Sequence, residues 1–456
     1  MELRSNMHFI RYGISAEERY FQEFENMIDG IFINGNMVAH MPGALSKFIG
    51  EKIINKPYLI DPLTHAFQHD ISHLMSENKN GEKKIKNSIM KMIDAYGEPV
   101  KSCITSYRVL QPHDFSSDQT IDQFARSVCE FQLNSLHKES PELSEYYEYA
   151  GIKSPLQPKY IIAPYFYMDS SSWNEWLQVN VMLIESAIRQ FPSKEICAQI
   201  VISKDLLANQ SAIREIIYKY SFLQVSGFAL WIDDFDEHES SAHELKSYIN
   251  MLNLLGKIAP IMILYGSFFS VALMKYCKHL NIKAVGHGLE YGESRSVVPV
   301  GGGIPVSKFY YPSLHARIRF NEAFILARQY LEQGKESYLL NVCDCQMCKE
   351  VMNSSQTALE AFGLYGESKP ITFRRKNQVV TLDYPEQETR DRCVRHYLFK
   401  KNDEYRNTES LESVLVELES MYNKYKLLTG TRFLKHCINW KTSLEYAQSL
   451  GRHYET

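Results

Sequence analysis

A chain of 456 residues is too long for one small core, and 45% apolar with 23% charged residues is the make-up of an ordinary globular protein. The formal net charge of −4 argues against a general polyanion binder, which is usually basic overall, but leaves room for a local basic patch. No stretch reaches the roughly 18 apolar residues of a membrane span, Met-Glu-Leu-Arg-Ser-Asn at the N-terminus lacks a signal-peptide core, and nine cysteines, an odd number, suit a reducing compartment. The expectation is a cytoplasmic protein with no membrane partner.

From about residue 30 onward, short apolar runs alternate with helical patterns. Gly30–Asn34, Pro57–Asp61, Tyr160–Tyr165, Cys197–Ser203, Ser226–Ile232, Pro260–Tyr265, Ile282–Gly286 and Lys308–Tyr311 read as strands. They are near-continuously apolar, as parallel strands buried on both faces are. Trp173–Gln190, Ser211–Tyr220, Ser241–Leu255 and Phe268–His279 read as helices between the later ones. Eight strands with intervening helices predict an α/β fold, a (β/α)8 TIM barrel. A helical insertion follows the second predicted strand, with Ile85–Tyr96, Ile121–His137 and Glu142–Ala150 as its helices; an insertion of this size suits a lid or a partner surface. In this division residues 1–71 begin the barrel, 72–158 are the insertion, 159–336 complete the barrel, and 337–456 form a zinc-binding and helical C-terminal lobe.

Barrel active sites lie where strands end at the C-terminal face. The second predicted strand ends in Asp61, ahead of Pro62-Leu63-Thr64-His65-Ala66-Phe67-Gln68. The fifth ends in Asp233-Asp234 and the seventh in Gly286-His287-Gly288-Leu289-Glu290. Carboxylates at these ends suit acid–base or nucleophilic work, or, more simply, cap the helix that follows. His65, His69 and His73 would share one face if helical, and Gly301-Gly302-Gly303 could form an amide nest for phosphate. Lys83-Lys84-Ile85-Lys86 and Phe373-Arg374-Arg375-Lys376 are local basic patches. In the C-terminal lobe, Cys343-Asp344-Cys345-Gln346-Met347-Cys348 puts three thiols within six residues, spacing that lets them converge on one tetrahedral Zn²⁺. The fourth ligand falls to His396, with Cys393 as its neighbour and competitor.

With these residues in view, the chain resembles the tRNA-guanine transglycosylase superfamily, including the relatives that insert deazaguanines into DNA. Cys343-Asp344-Cys345-Gln346-Met347-Cys348-Lys349 is similar to the family's C-x-C-x-x-C zinc motif, and Asp391 to Leu398 to the helix whose histidine completes that site. Here the separation between the two is longer than in the family, by a predicted ribbon of Ile371–Phe373 and Val379–Leu382. The resemblance implies a structural zinc, a role for Asp61 at the exchanged base, stacking by Phe67 and contacts from Gln68 and His287. It also implies nucleic acid, tRNA or DNA, as partner, with Arg374 and Arg375 on its backbone, and a small deazapurine base as co-substrate. The family's nucleophilic aspartate is absent from the Val285-Gly286-His287-Gly288 stretch, so Asp234 or Glu290 would replace it. The expected function is exchange or recognition of a guanine- or 7-deazaguanine-type base in tRNA or DNA. The alternative is a catalytically inactive binding or scaffold subunit, working as a homodimer or with a partner enzyme.

Overall fold

The computed structural model describes residues 4–13, 17–53, 56–77, 81–138, 145–146, 148–149, 157–289, 292–298, 306–375, 378–406, 409–429 and 434–452. Eight parallel strands make one sheet: β1 (Met7–Tyr12), β2 (Gly30–Asn34), β3 (Tyr58–Asp61), β4 (Ile161–Ile162), β5 (Ile196–Ser203), β6 (Gly227–Asp233), β7 (Ile261–Ile263) and β8 (Ile282–Gly288). Their order is β3-β2-β1-β8-β7-β6-β5-β4, the cyclic order of a barrel opened between β3 and β4. That seam is narrow. The Lys159 N–H donates to Tyr58 O at 2.9 Å, and Tyr165 N–H donates to Thr64 Oγ1 at 3.0 Å. The sheet is therefore a nearly closed, TIM-like barrel.

Alternation along each strand builds two cores. Phe9, Phe32, Leu59, Ile162, Val201, Ala229, Met262 and Ala284 fill the barrel, while Ile10, Ile33, Ile60, Ile161, Ile200, Leu230, Ile261 and Val285 face the helices outside. Size complementarity is local: a Cβ at Gly30 would sit 2.2 Å from the Phe9 ring, so glycine makes room for that phenylalanine.

Two strand assignments differ from expectation. Met7–Tyr12 is the first barrel strand, disguised in sequence because two of its six residues, His8 and Arg11, are basic. Both are buried and partnered, which is how a central strand tolerates them. Lys308–Tyr311 is not in the barrel. It pairs antiparallel with Ala316–Arg319 as a hairpin, β9 and β10, beyond the last barrel strand. The predicted second, fifth and seventh strands are thus β3, β6 and β8.

The segment between β3 and β4 carries a small hairpin (Met75–Glu77 with Lys83–Ile85) and helices Asn87–Tyr96 and Val100–Thr105. Its longest helix is not a lid. With α1 defined as Pro42–Lys52, α2 as Asp118–Lys138 and α3 as Trp173–Gln190, α2 lies in the barrel's outer layer between the other two. Ser46 of α1 donates to Leu136 O at 2.7 Å, and Ser186 of α3 donates to Asp122 at 2.6 Å. Gln132 binds both backbone groups of Ile162 in β4, at 2.9 and 2.7 Å, supplying the hydrogen bonds that a two-residue edge strand lacks on that side. Most of the predicted Glu142–Ala150 helix, and Gly301 to Gly303, lie outside the described residues.

The C-terminal lobe adds helices α4 (Gln346–Asn353) and α5 (Gln387–Arg406), the hairpin of β11 (Ser368–Arg375) and β12 (Gln378–Pro385), and helices α6 (Leu411–Thr429) and α7 (Lys435–Arg452). It grips the barrel at several points. Tyr405 of α5 donates to Val285 O at 2.8 Å, Arg406 pairs with Asp29 at 2.8 Å, and Trp440 of α7 donates to Glu237 O at 2.8 Å. Among the described residues no helix is long and apolar enough to cross a membrane.

Candidate active site and metal centre

The cysteines reach their places through local backbone. Cys345 caps α4, its Sγ accepting from Cys348 N–H at 3.4 Å, and Cys345 N–H in turn donates to Cys343 Sγ at 3.5 Å. One helical turn thus brings Cys345 and Cys348 to the same side, and α5 delivers His396 opposite. The Nδ1 of His396 lies 3.8, 3.3 and 3.5 Å from the sulfurs of Cys343, Cys345 and Cys348. All four ligand atoms are buried and within 4.8 Å of one another. A tetrahedral ion with metal–sulfur bonds of about 2.3 Å and a metal–nitrogen bond of about 2.0 Å sets its ligand atoms about 3.5–3.8 Å apart, so the residues fit a metal such as zinc. The outer contacts fit too. His396 Nε2–H donates to Tyr310 O at 2.6 Å, which leaves Nδ1 bare for a metal, and the Tyr338 and Tyr365 hydroxyls lie 3.3 Å from Cys348 Sγ. Cys393 is not the fourth member. Its thiol lies 3.7 Å from Tyr365 O and is pushed up to about 11 by burial.

At the barrel mouth the centre of the network is Asp61, fully buried at the end of β3. Its Oδ2 meets Arg11 Nη2 at 3.0 Å, and its Oδ1 accepts from Tyr165 Oη at 2.6 Å and Leu63 N–H at 3.1 Å. Burial alone would raise the Asp61 pKa; the charge of Arg11 and the hydrogen bonds from Tyr165 and Leu63 outweigh it and hold the carboxyl below its ordinary value. The proton positions follow. Tyr165 gives its hydroxyl proton to the carboxylate, so its oxygen accepts from His65 Nδ1–H at 2.9 Å. Burial lowers His65 to about 3, so its ring is neutral. Arg11 also donates to Asn34 Oδ1 at 2.5 Å and lies 4.9 Å from the Tyr265 ring centroid and 5.7 Å from that of Trp231. This is a preorganised, aromatic-walled polar cluster, in which Asp61 stays ionised at neutral pH.

Tyr165→Phe removes one charge-assisted hydrogen bond from Asp61 and should cost about 1–3 kcal/mol in urea unfolding. The sign with pH follows from the lowered Asp61 pKa: the carboxylate's contribution is complete above the unfolded value near 3.9 and fades as acid protonates it. The gap between variant and wild type should therefore be full near pH 6 and shrink below about pH 4.

A second carboxylate stands at the end of β6, and it is Asp233. Asp233 is half-buried, with Oδ2 accepting from Tyr167 Oη at 2.9 Å and Oδ1 from Val297 N–H at 2.7 Å. Asp234, expected in this role, is exposed, with its backbone in the left-handed region at φ 50° and its N–H donated to Arg295 O at 3.2 Å. The strand's alternation settles which of the two turns inward, a signal available in sequence once the ends of β6 are known.

Other expected site residues sit differently. Phe67 is fully buried, edge-on to Tyr96 at 6.1 Å, and is thus not placed to stack a base; His65, stacked on Tyr165 at 5.4 Å, is the ring of that segment at the mouth. Gln68 has both ends of its amide on the Tyr167 backbone, at 3.0 and 2.6 Å, and positions that tyrosine. His287 points away from the mouth, with Nε2 2.8 Å from His8 Nε2 and its ring against Tyr397. Glu293, three residues beyond Glu290 and not among the expected residues, forms a buried ion pair with Lys401 at 2.5 Å. His65 and His73 lie on separate 3-10 turns with His69 in extended backbone between them, not on one helix face, and the only metal-type cluster among the described residues is the Cys3His one. Glu290 lies outside the described residues, as do the side chains of Arg374 and Arg375, whose backbone ends β11.

Arg11, Tyr165, Gln199, Trp231 and Tyr265 were not apparent as site residues from sequence. They are scattered over five segments, and only barrel closure gathers them. A scan of protein-family models and a search of curated proteins returned no match to this chain.

Proposed function

We propose that the chain is a transglycosylase-like (β/α)8 barrel with a structural zinc lobe, acting on a guanine- or 7-deazaguanine-type base in tRNA or DNA. The observation that carries this reading is the mouth itself: an ionised, buried Asp61 braced by Arg11, among the rings of Tyr165, His65, Trp231 and Tyr265. Flat walls with fixed donors and acceptors suit a planar heterocycle flipped out of a nucleic acid. A zinc held by Cys343, Cys345, Cys348 and His396 would have its four positions filled by the protein and would supply structure, not a reactive position.

Exchange needs a carboxylate at the sugar's anomeric carbon, and Asp233 takes that role in place of Asp234. Its oxygen attacks C1′, the glycosidic bond breaks with its electron pair leaving on the base, and the departing base takes a proton from a solvent water. The incoming base then gives its proton to the hydroxide so formed, attacks C1′ and releases the Asp233 carboxylate. Backbone phosphates would lie along the β11–β12 hairpin, where Arg374 and Arg375 occur, and each phosphate contact adds to the salt dependence of binding.

A second reading, a non-catalytic base-binding subunit, is favoured by one observation: β8 ends in Gly-His-Gly, with His287 turned out of the barrel. Radiolabelled guanine incubated with protein and tRNA or DNA separates the two. Incorporation by the wild type, falling at least about 100-fold in Asp233→Asn, supports exchange. Salt-sensitive nucleic-acid binding without incorporation supports the second reading, and neither binding nor incorporation overturns both.

A further inference from the structure

A chain of four ionisable side chains runs through the junction of lobe and barrel. His315 Nδ1–H donates to Glu404 Oε1 at 2.8 Å, and Lys401 Nζ meets Glu404 Oε2 at 2.8 Å and Glu293 Oε1 at 2.5 Å. Tyr310 and Tyr397 add hydroxyl donors to Glu404 and Glu293. Lys401 is fully buried, and none of the other three side chains is more than 11% exposed. With the imidazole protonated, two cations face two carboxylates. With it neutral, one negative charge stays buried and unbalanced, which is costly.

The surroundings of His315 favour the proton. Phe268 stacks on its ring at 3.5 Å, and Glu417 of α6 lies 3.8 Å from its other nitrogen, Nε2. His238, after β6, pairs with Asp236 and gives Nε2–H to the His315 carbonyl at 3.0 Å, a bond that needs no charge on His238. His436 of α7 donates to Leu314 O; burial lowers it to about 3, so it adds no charge. Beside the ring lies a cavity of about 240 Å³, lined also by Lys275 of the helix Phe268–Tyr276 and by Lys400, Asp403 and Glu409. Asp403 and Glu409 are exposed, so solvent protons reach the ring. Burial would lower the His315 pKa, but the hydrogen bond to Glu404 and the nearby Glu417 outweigh it and raise it above its ordinary 6.5.

The far end of the chain holds a strap, residues 292–298. At its start Gly292 O accepts from Gly288 N–H of β8 at 2.9 Å, and near its end Val297 N–H donates to Asp233 of β6 at 2.7 Å. Between them Arg295 O accepts from Trp231 Nε1–H at 3.0 Å, and the Val297 side chain is buried in the core inside the barrel. Asp233 is thus occupied by the strap. Glu293 stands on irregular backbone, whereas Glu404 lies one turn from Lys401 on α5. With one cation left for two carboxylates, Lys401 stays with Glu404, and Glu293 is the group free to swing into water.

We propose that His315 is a proton-operated latch: protonated, it balances the buried chain that holds Glu293 and keeps the 292–298 strap on Asp233; neutral, it lets the strap go. The device is independent of which molecule enters the mouth. Its sign follows from a pKa raised by folding: the latch is complete below about pH 6.5 and is lost as pH rises through the raised value. Acid therefore closes the mouth and alkali opens it.

Fluorine NMR of the full chain with its metal, labelled with fluorotryptophan, reads the strap through Trp231, whose indole N–H it accepts. The Trp231 signal should move in one step between about pH 6 and about pH 10, while those of Trp173 and Trp176 stay put and exclude unfolding. Glu417→Gln, at the edge of the chain, should shift the midpoint to lower pH. His315→Gln should raise the open fraction near pH 7 at least about tenfold. Glu404→Gln balances Glu293 against Lys401 without a proton, so its strap should stay closed at about pH 10. A Trp231 signal that ignores pH, a midpoint unmoved by Glu417→Gln, or a Glu404→Gln strap that opens like that of His315→Gln overturns the latch.

Discussion

Cys348→Ser should lose the bound metal and lower the melting temperature by about 10 °C or more, because a structural zinc site contributes on the order of 10 kcal/mol to the fold around it. The expectation is large because the site joins two separate parts of the chain. Cys343, Cys345 and Cys348 lie together at the start of α4, and His396 lies in the middle of α5. The other residues of α5 bind the barrel: Tyr405 reaches Val285 in β8, and Lys401 holds Glu293 at the start of the strap. Loosening His396 thus frees a helix that is docked on β1 and β8. Elemental analysis should find one zinc per wild-type chain and none in the variant, and a scan of unfolding should show the loss of stability. A variant that keeps its metal, or one that loses metal without loss of stability, would remove the structural role assigned to the centre.

The second large effect is at Arg11. Arg11→Leu keeps the apolar stem but leaves the Asp61 carboxylate buried without its cation, a situation that costs about 3–5 kcal/mol. Two contacts at Asp61 Oδ1, from Tyr165 and Leu63, remain and limit the damage. The double variant Arg11→Leu with Asp61→Asn should recover much of the loss, since the uncompensated charge is gone. Urea unfolding of the two single variants and the double variant measures the coupling directly. Additive losses would mean that the pair is not energetically joined, against the 3.0 Å contact seen here. The same destabilisation should ease as the pH falls, beginning above about pH 4, because without Arg11 burial raises the Asp61 pKa and protonation then removes the charge left behind by the substitution.

How much of this could be read from sequence depends on how local the signal was. The Cys343–Cys348 cluster is a six-residue pattern, and its spacing alone implies convergence; His396 was reachable because it sits on a helix rich in candidate ligands. Central strands such as Ile196–Ser203, apolar throughout, announce themselves as parallel strands buried on both faces. Met7–Tyr12 does not, since His8 and Arg11 make it look like a polar terminus. What licenses those residues is partners 279 and 50 positions away, His287 and Asp61, which no local rule exposes. The site has the same character. Asp61 was legible as a strand end, whereas the choice between Asp233 and Asp234 turned on strand parity. Phe67 was assigned by resemblance to a segment whose backbone here runs through a left-handed Leu63 and a 3-10 turn, which buries its ring against Tyr96.

The central claim is that a nucleic-acid base enters the barrel mouth, and photo-crosslinking tests it most directly. Single-stranded RNA and DNA oligonucleotides carrying one 6-thioguanine would be irradiated with the protein, and the adduct located by mass spectrometry. Crosslinks are expected at Trp231, Tyr265, Tyr167 or His65, competed away by guanosine. Adducts confined to the outer surface, and unaffected by guanosine, would contradict it.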